Sequence, residues 1–176
     1  GIVVLHHGRI VYERYAGALN AETPHIAFSV TKSFFGCIAA CLIYEGLIDE
    51  TAMVVHYIPE LAGSGFADAT VRQVLDMTTG LDYSEDYTDP EAGIWQHARA
   101  GGLLYRPADY QGPDHFYDFL PTVKKQGVHG THFSYKTINT DVLGWIIRRV
   151  TGMSLADNLS QRIWSLLGAE HDAYIT

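Results

Sequence analysis

The sequence predicts an α/β fold of unequal parts: a small β part at the N-terminus, then a region that is almost entirely helical. Three observations carry this reading. Two β-rich runs, residues 2–5 and 10–15, flank His6-His7-Gly8-Arg9, the pattern of a β-hairpin turning at Gly8. Beyond them, apolar residues recur at helical spacing almost to the C-terminus. Between the two regions stands Phe28-Ser29-Val30-Thr31-Lys32-Ser33-Phe34-Phe35-Gly36, where a serine and a lysine sit one helical turn apart.

The elements follow in order. A loop with Asn20, Thr23 and Pro24 leads to the helix opened by Ser29, which is expected to end at Gly46 as a C′ glycine. Lys32 is the only charged residue from Val30 to Tyr44, so the helix reads as buried on every side. Its face continues through Ser33, Gly36, Ala40 and Ile43, small enough for another element to pack closely. Residues 49–61 read as a loop with apolar anchors. Thr70 to Gln73 reads as a capping box opening a short helix that stops near Thr78. An acidic stretch from Asp82 to Pro90 carries Tyr83 and Tyr87. Pro90 suits the first turn of a helix running to Ala100, and Asp114 to Leu120 reads as a short helix. Thr140 is expected to cap an amphipathic helix closed by Gly152. Ser154 with Asp157 is expected to cap the last helix, which runs to Gly168 with Trp164 on its core side, as Trp95 is in the helix before Ala100.

The 176 residues form one piece, divided into a hairpin over 1–17 and a mainly helical part over 18–176. An isolated hairpin is at best marginally stable. Its sheet partners are therefore expected from C-terminal strands that this chain lacks, supplied by a missing segment or a second chain. The chain opens on a strand-like run without methionine or signal segment, so its true N-terminus is expected upstream and export is left undecided.

Composition removes several function classes. A net charge of −8 without clustered Lys and Arg excludes a nucleic-acid groove. No apolar run has the length of a membrane span. Cys37 and Cys41, one turn apart on the Ser29 helix, read as free buried thiols and favour a reducing, cytoplasmic compartment. Nine histidines invite a metal, yet no His-Glu-x-x-His occurs, and His129 and His132 have no carboxylate close by in the sequence; no metal and no organic cofactor is expected. Gly63-Ser64-Gly65 lacks the nucleophile elbow of an α/β-hydrolase.

The remaining chemistry is nucleophilic. A hydroxyl at a helix start with one ammonium group on a buried turn beside it is the arrangement of an activated serine, since burial eases loss of the lysine proton. Ser-x-x-Lys alone is a weak signal, because an N-cap serine and a snorkelling lysine give the same spacing. A second motif raises it: Gly130-x-x-Phe133-x-Tyr135-Lys136-Thr137, with Leu143-Gly144 eight and nine residues after the tyrosine.

Together these blocks resemble the β-lactamase-related serine hydrolases, the group of class C β-lactamases, DD-peptidases and esterases. Tyr57 to Leu61, Thr79-Gly80-Leu81 and Gly8 to Glu13 are further pieces similar to that family. Thr131 to Tyr135 and Asn139 to Trp145 look most like the 6-aminohexanoate-dimer hydrolases and their esterase relatives. The resemblance covers nearly the whole chain and implies a β-lactamase/transpeptidase-like fold, truncated, with the hairpin and helical part present and the C-terminal strands absent. It implies Ser29 as nucleophile, Lys32 and Tyr135 as its proton-transfer partners, and Tyr87 as a substrate contact, for which an exposed loop tyrosine is the equal alternative. Thr137 stands where the family's Tyr-x-Asn motif has its asparagine; a hydroxyl in place of the carboxamide favours esters or linear amides over β-lactams. The family's Lys/His-Thr-Gly strand, which supplies an oxyanion-hole donor, is not in this sequence. The expected activity is hydrolysis of a small ester or linear amide, such as an ω-amino-acid oligomer, through an acyl-enzyme. The rivals are a β-lactamase, a penicillin-recognising or peptidoglycan-binding module that acylates without turnover, and a non-catalytic scaffold.

Overall fold

A computed structural model describes residues 1–175. The chain divides into two compact units, Gly1–Thr31 and a second running from Lys32 onward.

The first unit is built on a hairpin of β1 (Ile2–His6) and β2 (Arg9–Arg14), paired antiparallel. His7 (φ 47°) and Gly8 (φ 74°) both take left-handed conformations, as a two-residue turn matched to strand twist requires. Val4 pairs with Tyr12 and Leu5 with Ile10, leaving Val11 as a bulge. Every residue of both strands is exposed.

The second unit packs around α6 (Thr137–Thr151), whose buried positions include Ile138, Val142, Leu143, Ile146 and Ile147. The helices α2 (Val54–Tyr57), α3 (Val71–Leu75), α5 (Phe116–Phe119) and α7 (Leu155–Leu159) lean on it, and α4 (Gly93–Ala100) packs against α5. A Cβ at Gly144 would stand 3.4 Å from the Phe35 ring and from the Leu155 methyl, so α1 (Val30–Tyr44) and α7 approach α6 at this point to within van der Waals contact of one added methyl group. Full burial of each large aliphatic side chain in this core contributes about 1.5–3 kcal/mol.

Local chemistry sets several boundaries as the sequence predicts. The Thr70–Gln73 capping box opens α3 and the Ser154 side chain caps α7. Left-handed Gly46 follows α1, and left-handed Gly152 closes α6.

Elsewhere the expectations need correction. Residues 49–61 are not irregular: α2 and a 3₁₀ turn, Pro59–Leu61, form there, because burying Val54, Ile58 and Leu61 stabilises turns too short to show a period. The hydroxyl of Tyr57 accepts the Asp49 N–H at 2.7 Å, fastening this segment. Helix α4 begins at Gly93 and not beside Pro90. Asp89 turns the chain first, its carboxylate accepting the Glu91 N–H and its carbonyl the Ala92 N–H. Helix α5 likewise starts two residues late, at Phe116.

Helix α6 begins at Thr137, so Thr140 lies inside it and is buried. The last helix passes through a π turn at Ser160–Trp164, and Trp95 and Trp164 are half-buried against the core. Helix α1 is not enclosed: Phe35, Ile38, Ala39 and Leu42 are buried, while Ser33, Cys37, Ala40 and Tyr44 form an exposed stripe. Both cysteines are free, but Cys37 is exposed and Cys41 half-buried. No helix among the described residues is long and apolar enough to cross a membrane.

Candidate active site

Ser29 lies at the end of the first unit, one residue before α1, and is exposed. The turn that presents it is held by Val30 N–H donating to Ala27 O (3.0 Å) and Thr31 N–H to Phe28 O (3.1 Å). Phe28 has φ +45°, a conformation that a bulky L-residue adopts only under constraint. Nothing in the sequence pattern announces that strain beside the serine.

In the second unit, Lys32 and Tyr135 meet. The Lys32 ammonium stands 5.2 Å from the centroid of the Tyr135 ring, within cation–π range. Lys32 is half-buried, not buried as the apolar helix implied, and Tyr135 is 42% exposed.

The Tyr135 loop is held from below by the segment after α3. Ser134 N–H donates to Met77 O and Gly130 N–H to Thr78 O, both at 2.8 Å, with Met77 itself at φ +55°. Thr79 Oγ1 donates to Oδ1 of the fully buried Asn139. Gly80 N–H donates to His129 Nδ1 at 2.9 Å, so the His129 proton sits on Nε2, 3.2 Å from Asp68 Oδ1. Lys125 pairs with the other oxygen of Asp68, and that contact holds the Asp68 carboxyl below its usual range. His129 thus has a carboxylate neighbour after all, brought from a distant segment. Among the described residues no group of three or more His, Cys, Asp or Glu could hold a metal ion.

The acidic loop docks beside Tyr135. Buried Lys136 donates to Tyr83 O and to Ser134 Oγ, each at 3.0 Å. Burial pushes its pKa down, opposed by the charges of Glu85 and Asp82. Glu85 Oε1 accepts the Thr137 N–H, and its Oε2 lies 3.4 Å from the Tyr87 hydroxyl. Tyr87 is 64% exposed, its ring 5.7 Å edge-on from Trp95. Partial desolvation first, then Glu85, holds its hydroxyl pKa above the ordinary value. Tyr83 is driven up further, by burial and then by Glu85 and Asp141. Beneath the loop, buried His97 is 2.7 Å from Asp141 Oδ2 and stacks on Phe116.

Of the residues singled out from sequence, the fold joins Lys32 to Tyr135, and Tyr87 to Thr137 through Glu85. Sequence reasoning assigned no role to Glu85, Lys136 or His97, and weighed His129 only as a metal ligand, because Thr137, Tyr83, Asp141 and Asp68, their respective partners, lie 44 or more residues away. The open groove lined by Tyr117, Trp145, Arg148 and Met153 lies at the opposite end of α6 from Tyr135.

The chain resembles known hydrolases in sequence and in structure. The chain is 40% identical over 174 residues to 6-aminohexanoate-dimer hydrolase from Paenarthrobacter ureafaciens, covering 99% of this chain and 44% of that protein. A solved Bacillus anthracis protein assigned as a 6-aminohexanoate-dimer hydrolase superposes with a TM-score of 0.86 at 40% identity, over 94% of this chain and 44% of that one. A D-stereospecific amidohydrolase from a Streptomyces species gives 0.58 at 29% identity, over 77% and 39%. The chain therefore spans less than half the length of these relatives. Residues 1–175 match the β-lactamase family; by that match, and by its likeness to these hydrolases, the chain belongs to the β-lactamase family.

Proposed function

We propose that the chain carries the nucleophile and the proton-transfer groups of a serine hydrolase that cleaves a linear amide or ester through an acyl-enzyme. The observation that carries this reading is the Lys32–Tyr135 contact of 5.2 Å, made between the two motifs whose spacing resembles the family's. Ser29 Oγ attacks the substrate carbonyl and gives its proton to the lone pair of Lys32 in its unprotonated amine form, with Tyr135 assisting. Tyr135 then protonates the leaving amine or alcohol, and a water, deprotonated by the same pair, releases the acyl group. The Ser29 N–H serves as one oxyanion donor. Exposed Tyr87 contacts the substrate, and the hydroxyl of Thr137 stands where a carboxamide would favour β-lactams. The relatives' names point to an ω-amino-acid oligomer as the amide. A small-molecule substrate and no organic cofactor suffice for each step.

A fluorophosphonate probe offered to the full-length protein tests the nucleophile. Ser29 should be labelled in the wild type, and Ser29→Ala should be neither labelled nor active. Labelling that survives in Ser29→Ala removes Ser29 from the mechanism.

A further inference from the structure

Helix α6 has an N-terminal problem that its own sequence does not solve. The first N–H groups of a helix need acceptors from outside it. The residue before Thr137 is Lys136, whose side chain makes no cap hydrogen bond and has no acceptor atom to offer. The acceptor comes instead from the acidic loop, as Glu85 Oε1. A carboxylate there also suits the positive end of a 15-residue helix. The Lys136 ammonium turns the other way and donates to Tyr83 O in that same loop and to Ser134 Oγ beside Tyr135. Two charged side chains thus cross between the same two loops in opposite directions.

We infer that Glu85 and Lys136 are paired positioning residues that lock the Tyr87 loop to the Tyr135 loop, so that the substrate contact and the proton-transfer tyrosine are held as one rigid body. The two act on different partners. Glu85 caps α6 with one carboxylate oxygen and restrains the Tyr87 hydroxyl with the other. Lys136, next to Tyr135 in the chain, joins the Ser134 hydroxyl on the other side of Tyr135 to the Tyr83 carbonyl through its ammonium group. Tyr83 is itself anchored, its ring edge-on to Phe119 at 6.4 Å and its hydroxyl 3.4 Å from His97 Nδ1. Burial of Lys136 adds to the constraint, because an ammonium held away from water cannot give up its acceptors without cost.

The catalytic consequences rest on the hydrolase reading above, while the lock itself can be tested without turnover. Hydrogen exchange resolved at single amides in the full-length protein reads it directly. Glu85→Ala should speed exchange of the Thr137 amide about tenfold, and Glu85→Gln, which keeps the acceptor, should recover most of the protection. In steady-state kinetics Glu85→Ala should raise KM about fivefold with kcat little changed, whereas Lys136→Met should lower kcat about tenfold with KM little changed. A merely structural role would lower the active fraction and leave KM alone in both. Thr137 exchange unchanged in Glu85→Ala overturns the lock. So does an unmoved KM and kcat in both variants while Ser29→Ala is inactive; either result leaves the hydrolase reading standing. Turnover that persists in Ser29→Ala overturns the hydrolase reading instead, and the exchange measurement still decides the lock.

Discussion

Gly80→Ala is the sharpest test of how the Tyr135 loop is held. A Cβ at Gly80 would stand 2.5 Å from the carbonyl carbon and 2.6 Å from the carbonyl oxygen of Gly127. Ordinary van der Waals contact begins at 3.4 Å, so the two backbones must separate by about 0.8 Å or more. Three hydrogen bonds resist that separation: Gln126 N–H and Gly127 N–H to Gly80 O, and Gly80 N–H to His129 Nδ1. Overpacking of this kind costs about 1–3 kcal/mol, and each stretched hydrogen bond forfeits part of about 0.5–1.5 kcal/mol. The sum is about 2–4 kcal/mol. Urea unfolding of the full-length protein should show a midpoint lowered by about 1–2 M at unchanged slope. Because the displaced backbone leads into Tyr135, kcat should also fall, by about tenfold or more. Gly63→Ala is the control, since nothing lies within 4 Å of its Cβ position; it should change stability by less than about 1 kcal/mol. A Gly80→Ala protein no less stable than Gly63→Ala would refute the close-approach argument.

Two further outcomes follow from the site. Tyr135→Phe should lower turnover by about 10²–10⁴-fold while leaving the circular-dichroism spectrum unchanged, and an unaltered kcat would take Tyr135 out of the mechanism. Lys136 has its folded pKa depressed below the ordinary 10.5, chiefly by burial, so the native state binds its proton less well than the unfolded chain does. Its charged form therefore costs stability at lower pH, and that cost is relieved as pH rises through the depressed value towards 10.5. The stability of wild type relative to Lys136→Met should accordingly climb with pH over that window. A flat difference would show that burial of the ammonium carries no linkage.

What the sequence determined by itself is whatever depends on neighbours a few residues apart. The Ser29–Lys32 spacing, the Tyr135 loop before a helix, the Thr70–Gln73 box, the Ser154 cap and the Gly8 turn are all local, and their side-chain chemistry selects the backbone directly. The hairpin followed by helices was legible for the same reason, because strand and helix periods are written in consecutive residues. The tertiary structure alone decided where α6 begins, since Glu85 caps it from 52 residues away and no pattern around Thr137 encodes a distant carboxylate. It alone buried Lys136, gave His129 its aspartate and His97 its Asp141, and left one face of α1 exposed. Burial and long-range pairing are properties of the packed chain, set by which surfaces meet. The Ser29 and Tyr135 motifs are local and mark where the proposed chemistry would lie; the contacts that hold Tyr135 against Lys32, and Tyr87 beside Thr137, arise only when segments far apart in sequence close on one another.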